Sequence, residues 1–288
     1  MVDILPQLLI YGIVTGSLYG LLGISWSLIY GTTGTFHFAH AVAMTTAAYG
    51  AWLITMGAGF PVAAGFIVAF AVAALFGWAI ELIYRPFRRL AGGQLAVFIV
   101  SLAVFILGEN IIHLIFKADP RTIKGFPVIP VEIGGVSFTS LDVLIVVLSG
   151  LVFWGLWMYL RRTASGKAIQ AVASNQEMAE TVGIDARRIF VLVFALGSGV
   201  AGLAAVLYIL QGVLTPFIGM DLLLPAAVVT FVGGVGSLPG AMVAGLLLGI
   251  SVSISSAFVL PEFQSAVPFI ILLVVIILRP RGLLGVER

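Results

Sequence analysis

Long apolar runs separated by short polar breaks dominate the pattern along this chain. No Asp, Glu, Lys or Arg lies between Asp3 and Glu81, a stretch long enough for three membrane-spanning helices of about 20 residues each. Gly-rich breaks at 31–34 and 57–61 divide this stretch, because Gly and Pro interrupt helices. The same pattern predicts nine spans in the whole chain, at residues 5–30, 36–56, 61–84, 94–116, 141–160, 189–212, 222–235, 240–258 and 264–278.

Composition agrees with a membrane protein. Of the 288 residues, 61% are hydrophobic and 9% are charged, against about 25% charged in soluble domains. This balance excludes a disordered chain and an ordinary soluble enzyme, and the lack of Cys excludes disulfides and thiol chemistry. The start of the chain has no positively charged region, which predicts a retained first helix rather than a cleaved signal peptide. The predicted fold is an all-α polytopic membrane protein with about 8–9 transmembrane helices, some of them discontinuous.

Basic residues form three clusters that orient the predicted spans. With the clusters on the cytoplasmic side, the spans alternate without conflict, the C-terminus is cytoplasmic, and the polar segment 117–140 is an outer loop. Nine crossings put the N-terminus outside, whereas a re-entrant 36–56 segment gives eight crossings and an N-terminus inside. Because the clusters are short and lie between apolar runs, we exclude nucleic-acid binding. Their members are Arg85, Arg88 and Arg89; Arg161, Arg162, Lys167, Arg187 and Arg188; and Arg279, Arg281 and Arg288.

Residues 161–188 form the longest charged stretch. Ser174-Asn-Gln-Glu177 has the spacing of a capping box, which starts a helix, and Gly183 suits the position just after a helix end. We expect one short helix from about Asn175 to Val182 and another at 166–173. These residues alone leave two interpretations open, a docking element for another protein and a solvated connector.

Small residues recur every four positions on several spans. Such stripes let helix backbones approach closely in lipid, and close packing is the favoured interpretation over a pore lining or a subunit interface. The Gly-rich breaks at 31–34 and 233–240 either mark corresponding breaks at a transport site or are turns at the membrane surface. The stripes are Gly12, Gly16 and Gly20; Gly236, Gly240 and Ala244; and Ala241, Gly245 and Gly249.

His37 and His40 lie within the long uncharged stretch, at a spacing that puts both on one helical face. Three interpretations stay open: hydrogen bonding to the backbone at the break, lining of a polar substrate path, and metal binding, for which no third ligand is near. Intramembrane polar residues are functional candidates in general.

Buried carboxylates are scarce in the predicted spans, which argues against a proton-coupled transporter or pump. Glu109 and His113 form a pair four residues apart, for which a local hydrogen bond is favoured over a proton relay. The other carboxylates assigned to span ends are Asp142, Asp221 and Glu262.

Enzyme motifs are incomplete. Gly166-Lys167 is followed by Ala168 where a phosphate-binding loop has Ser or Thr, and Gly197-Ser198-Gly199 lacks the spacing of an intramembrane serine protease. The chain has no predicted catalytic residue and no means of hydrolysing ATP by itself. Active transport would therefore need a partner, and a membrane-embedded enzyme remains an alternative only through the two histidines.

Four ordered blocks resemble the branched-chain amino acid ABC transporter permease family, specifically its LivH-type subunit. The similarity covers nearly the whole chain. The blocks are Leu28-Ile-Tyr-Gly31 through Gly34-Thr-Phe-His-Phe-Ala-His40; Ala171-Val-Ala-Ser-Asn175 with Gly183-Ile184, Phe194-Ala-Leu-Gly-Ser198 and Ala201-Gly202; Gly233-Gly-Val-Gly-Ser-Leu-Pro-Gly240; and Arg279-Pro-Arg-Gly-Leu-Leu-Gly285. His37 and Ala41 depart from the Asn and Gly that the family usually has, and they bear on the substrate more than on the fold.

The resemblance implies a single ABC-transporter membrane domain, 1–288, in an inner-membrane importer of branched-chain or other hydrophobic amino acids. It implies a second permease subunit, two cytoplasmic ATPase subunits that bind ATP and Mg, and an extracytoplasmic solute-binding protein that the outer loop and Asp221 face. No cofactor or metal is expected on this chain. The alternatives are a permease for urea, short amides or small organic acids, and a self-contained channel or facilitator for a small neutral solute.

The resemblance also implies roles for two sets of residues. The 175–183 helix would be the coupling helix that enters a groove on an ATPase subunit, and the N-termini of broken helices would hold a substrate carboxylate. The substrate-path candidates are Gly34, Thr35, His37, His40, Gly234, Gly236 and Ser237. The coupling-helix candidates are Asn175, Gln176, Glu177, Met178, Glu180 and Gly183.

Overall fold

The computed structural model describes residues 4–285, with the side chains of Ile133, Pro261 and Glu262 excepted. Two predicted assignments therefore lie outside the described residues: Arg288 of the third basic cluster and the side chain of Glu262.

Helices make up most of the described chain. Within it they are α1 (Leu5–Thr33), α2 (Ala39–Trp52), which continues into a π-helical turn (Leu53–Gly57), α3 (Val62–Arg88), α4 (Gly93–Phe116), α5 (Ser140–Arg162), α6 (Ala164–Ser174), α7 (Gln176–Thr181), α8 (Ala186–Gln211), α9 (Ile218–Gly233), α10 (Leu238–Ser255), α11 (Pro261–Gln264) and α12 (Val267–Leu278).

Helix length and apolar character agree with a multi-pass membrane protein. Among the described residues, six helices are long and apolar enough to cross a membrane: α1, α3, α4, α5, α8 and α10. The apolar helices α9 and α12 are shorter. The predicted polytopic, helical fold is confirmed in this coarser form, and the number of eight or nine crossings stays a prediction.

The predicted loop 117–140 contains the two strands that the described residues show. Strand β1 (Pro130–Ile133) pairs antiparallel with β2 (Val136–Thr139), with Ile133 opposite Val136. Gly134 and Gly135 connect them with φ of +61° and +82°, the geometry of a two-residue hairpin turn that tolerates Gly best. The loop prediction for 117–140 missed this hairpin, because Gly and Pro indicate a break in the helices without showing whether the flanking residues pair.

Contacts divide the chain into two compact units. Unit 1 comprises residues up to 27, 126–156 and from 225 onward, and unit 2 comprises 28–125 and 157–224. The assignment of 1–288 as one membrane domain stays a prediction.

In unit 1, close approach of α1 and α10 depends on glycine. The Cα positions of Gly12, Gly16 and Gly20 face Ile250, Leu246 and Met242, one helical turn apart on each helix. From the α10 side of the same contact, Gly245 and Gly249 lie against the backbone of Gly20 and Gly16. The packing interpretation is thus confirmed for Gly12, Gly16 and Gly20 and for Gly245 and Gly249, since backbone contacts of this kind leave no room for side chains.

In unit 2, α3 and α8 pack along their lengths, and α2 packs against both. Gly77 of α3 lies against the carbonyl oxygen of Phe194 and the hydroxyl of Ser198, while Gly202 of α8 lies against Ala69 and Ala73. The break that follows α1 lies beside these two helices, because Thr35 contacts Arg88 of α3 and His37 contacts Phe194 of α8.

Candidate functional site

The break between α1 and α2 lies where the sequence predicts it. Gly34 adopts φ +63° and its N–H donates to the carbonyl oxygen of Tyr30 at 2.8 Å, so Gly34 ends α1 in the left-handed conformation that Gly favours. Residues 34–38 continue without helix, and the N–H of Phe38 donates to Oγ of Ser101 in α4 at 3.2 Å. A non-helical backbone of this kind at membrane depth requires protein surroundings.

His37 and His40 face an enclosed aromatic environment within unit 2. The two residues are 2% and 0% exposed, and their ring centroids lie 5.2 Å apart in an edge-on arrangement. The His37 ring also lies 4.9 Å from Phe194 and 6.1 Å from Tyr84. Within residues 4–285, no three His, Cys, Asp or Glu side chains come together as a metal site. The arrangement is a buried ring cluster beside the break.

A buried ion pair lies next to this cluster, and sequence analysis did not identify it. Arg88 Nη2 lies 2.9 Å from Glu81 Oε2, and Glu81 is 1% exposed. Arg88 Nη1 donates to Oγ1 of Thr35 at 2.5 Å, and Thr35 Oγ1 donates to the carbonyl oxygen of Thr33. A buried carboxylate of this kind needs a charged, hydrogen-bonded partner.

This pair adds a contact that the charge pattern did not predict. The Arg88 guanidinium, a member of the first basic cluster, folds back two helical turns to Glu81. Glu81 is thus a carboxylate buried inside α3. The seven-residue spacing of the two side chains puts them on one face of a helix, and this signal was available in the sequence.

Aromatic rings of α8 cover the other side of the Arg88 guanidinium. Its central carbon lies 4.9 Å from the centroid of the Phe190 ring and 5.8 Å from that of Phe194, within the range of cation–π attraction. Arg88 at the end of α3 therefore lies beside the beginning of α8. The first basic cluster and the Arg187–Arg188 part of the second consequently lie at the same end of unit 2.

The other predicted path residues, Gly234, Gly236 and Ser237, belong to unit 1 and connect α9 to α10. Gly234 and Gly236 have φ of +100° and +82°. The N–H of Gly236 donates to Ser27 Oγ at 3.1 Å, and Ser237 Oγ accepts from the N–H of Gly240 as the N-cap of α10. The structure thus gives these residues turn and capping contacts of unit 1 and groups them separately from the histidine break.

The C-terminal segment packs against this same glycine loop. The N–H groups of Leu283 and Leu284 donate to the carbonyl oxygens of Val232 and Gly233 at 2.8 and 3.0 Å. Gly234 and Gly282 lie against each other's backbone. Two of the four resemblance blocks, 233–240 and 279–285, therefore form one packed element.

Replacing Ser237 with Ala tests the capping role in this loop. We expect unit 1 to lose about 1 kcal/mol of stability, because Ala leaves the first amides of α10 without their side-chain acceptor. Thermal unfolding of the purified protein in detergent measures the effect. Ser237→Asn keeps an acceptor and should keep the melting temperature near that of the unchanged protein, whereas equal losses in both variants would contradict the capping role.

The segment between α5 and α8 contains the two short helices that the sequence predicts, with one correction at the boundary. The cap of α7 is Asn175, whose Oδ1 accepts from the N–H of Met178 at 3.0 Å, and not Ser174. Ser174 is the last residue of α6, and Asn175 breaks the two helices apart with an extended backbone.

Gly183 ends α7 as predicted. It has φ +89°, its N–H donates to the carbonyl oxygen of Glu180 at 3.0 Å, and the N–H of Ile184 donates to that of Ala179 at 3.0 Å. This pair of bonds is the Schellman motif, which requires a left-handed residue at its turn. Asp185 then caps α8 by accepting from the N–H groups of Arg187 and Arg188.

One face of α7 is exposed. Ala179 is 4% exposed and faces inward, whereas the side chains of Met178 and Val182 are 67% and 76% exposed. Around this apolar pair, Gln176, Glu177 and Glu180 are exposed, and Gln176 Nε2 donates to Glu180 Oε1 at 3.0 Å. An exposed apolar pair within a polar rim is typical of a protein-binding surface.

At the other end of unit 2, His113 packs its ring against Phe217, with centroids 5.5 Å apart. Its Nδ1 is buried and makes no hydrogen bond to the described residues.

Asp221 lies exposed in the first turn of α9. In the predicted outer loop, the backbones of Arg121 and Leu214 bond to each other, and the Arg121 guanidinium lies 4.4 Å from the Trp52 ring.

Asp142 lies at a helix start, as predicted. Its Oδ2 accepts from both the N–H and the hydroxyl of Thr139 at 2.8 Å, and the N–H of Asp142 donates back to Thr139 Oγ1. This reciprocal cap joins the hairpin to α5 in unit 1, and it is structural.

Comparisons with known proteins agree with these features. Residues 8–276 match the family described as "Branched-chain amino acid transport system / permease component". The high-affinity branched-chain amino acid transport system permease protein LivH of Escherichia coli (strain K12) is 32% identical over 294 residues, which are 97% of this chain and 95% of LivH. The corresponding protein BraD of Pseudomonas aeruginosa is 33% identical over the same shares.

Proposed function

Because this chain belongs to the family of permease components of branched-chain amino acid transport systems, we propose that it imports branched-chain or other hydrophobic amino acids as one membrane subunit of an ATP-driven transporter. It is a transport subunit and not an enzyme, and it is a multi-pass protein of the inner membrane. The family match over residues 8–276 carries the proposal, and the capped, exposed helix α7 supports it.

The proposed assembly has a second permease subunit, two cytoplasmic ATPase subunits and an extracytoplasmic solute-binding protein. ATP and Mg bind to the ATPase subunits, and this chain binds no cofactor of its own. Helix α7 enters a groove of an ATPase subunit, with Met178 and Val182 as its apolar contacts and the exposed carboxylates around them. The hairpin loop and Asp221 face the solute-binding protein.

The proposed orientation puts α7 and the C-terminus in the cytoplasm. It is supported by the contact between Arg88 and Phe190, because this contact brings the basic end of α3 and the basic start of α8 to one end of unit 2. The positive-inside rule assigns such an end to the cytoplasm.

We propose that the substrate path changes shape at the two glycine breaks. Residues 34–38 are non-helical and carry Thr35 and the two histidines, and residues 234–237 include two glycines at positive φ. Backbone of this kind rearranges more readily than a continuous helix, which suits a rigid-body alternation between inward and outward states.

Purification from the native membrane tests the proposed function. A chain tagged at its C-terminus should co-purify with two ATPase subunits and a second permease, and the assembly in liposomes should take up leucine or isoleucine only with ATP and the binding protein. Flux through the lone chain without ATP would contradict the importer and favour a facilitator. ATP-dependent uptake of urea or an amide, with none of leucine, would contradict the substrate alone.

A further inference from the structure

One guanidinium in unit 2 contacts three separate elements. Arg88 is at the end of α3 and pairs there with Glu81. It donates to Thr35 in the break after α1, and it lies on the rings of Phe190 and Phe194 in α8. Arg89, its neighbour, is exposed. We call this set of contacts the Arg88 bridge.

One member of the Arg88 bridge, Phe190, lies close to α7 along the chain. Between Gly183, which ends α7, and Ala186, which begins α8, are two residues whose backbones are held by the Schellman bonds and by the Asp185 cap. Phe190 follows Ala186 by about one helical turn. A displacement of α7 would therefore act on Phe190 through these hydrogen-bonded residues.

The break forms the other end of the bridge. Thr35 is 2% exposed, and its hydroxyl receives the hydrogen bond from Arg88 while donating to the carbonyl oxygen of Thr33. Two residues later, the His37 ring packs on Phe194, which also faces Arg88. The same phenylalanine thus contacts both the guanidinium and the break.

We propose that Arg88 is a positioning residue that couples movement of α7 and α8 to the break at 34–38. The proposal rests on the proposed function, in which an ATPase subunit moves α7. Arg88 suits this role because its planar fork binds Glu81 and Thr35 at once while its face stays on the rings of α8, a combination that a lysine ammonium does not provide.

Two conservative variants test the Arg88 bridge. Thr35→Val has nearly the same shape and removes the hydroxyl that accepts from Arg88. Arg88→Lys keeps a positive charge for the buried Glu81 carboxylate and removes the fork. Arg89→Lys, the same change one residue along on the exposed side, is the matched control.

The experiment uses the complete transporter in proteoliposomes and measures uptake and ATP hydrolysis in the same vesicles. We expect Thr35→Val and Arg88→Lys to lower the number of solute molecules taken up per ATP about tenfold, because loss of one hydrogen bond to a charged group weakens the link between the break and Arg88 by about that factor. Both variants should still co-purify with the ATPase subunits. Arg89→Lys should leave the number of solute molecules taken up per ATP unchanged. Hydrogen exchange at residues 34–38 should lose its dependence on ATP in both variants.

Three other results have distinct meanings. An unchanged ratio of uptake to hydrolysis in both variants would overturn the Arg88 bridge. A parallel fall of uptake and hydrolysis, with the ratio constant and the ATP-dependent exchange retained, would give Arg88 a merely structural role and also overturn it. Absence of ATP-dependent uptake in the unchanged complex would overturn the proposed function, and the coupling proposal with it.

Discussion

Replacing Gly249 with Ala should destabilise the protein by about 1–3 kcal/mol or more, because the added methyl group meets backbone and not a movable side chain. The Cβ at this position would overlap the backbone nitrogen and Cα of Gly16. Relief requires α10 to move away from α1 and would disturb the neighbouring contacts of Gly245 with Gly20. We expect a melting temperature in detergent that is lower by several degrees, with less protein recovered in the monodisperse peak of size-exclusion chromatography.

Gly150 provides the matched control. It lies within α5 of the same unit, and a Cβ there meets nothing within 4 Å. Gly150→Ala should leave the melting temperature unchanged or raise it slightly, since Ala favours a helix over Gly by about 0.5–1 kcal/mol. Equal melting temperatures for the two variants would contradict close packing of α1 against α10.

Helix positions in this chain follow from its sequence more closely than the details of its site do. Apolar length is a property of a single segment, so the long helices α3, α4, α5 and α8 lie within a few residues of their predicted bounds. The hairpin at 130–139 was not predicted, because two adjacent glycines fit an irregular loop as well as the tight turn of a hairpin. The cap of α7 shifted by one residue because Ser174 and Asn175 are both good caps, and only the end of α6 decides between them.

The candidate site depends on contacts between segments that are distant in sequence. The break at 34–38 and the glycine loop at 234–237 are visible as patterns, but their neighbours are not. Arg88 was assigned to a basic cluster on charge alone. Its partner Thr35 lies 53 residues before it, and its partner Phe190 lies in the first turns of the distant helix α8. Such a triple contact is set by the packing of α3 against α8, to which no local pattern points.

Replacing Gly183 with Val should abolish most substrate-stimulated ATP hydrolysis while leaving the membrane helices in place. The residue adopts φ +89°, which costs an ordinary L-residue roughly 1–2 kcal/mol and a β-branched one more. Helix α7 has six residues, too few to persist without its end contacts. We expect stimulated hydrolysis and uptake to fall by about tenfold or more, because the face with Met178 and Val182 loses its shape.

A variant at a glycine elsewhere in the chain serves as the control for backbone strain itself. Gly59 has φ +75° with open space around its Cα, so Gly59→Val imposes a similar backbone strain away from α7 and should leave stimulated hydrolysis near normal. Met178→Asp tests the docking face without altering the backbone and should act like Gly183→Val, with a smaller loss for Glu177→Gln. If Gly183→Val and Met178→Asp both retain normal coupling in the assembled transporter, α7 is not the element that binds the ATPase, because neither its shape nor its most exposed apolar contact would then matter.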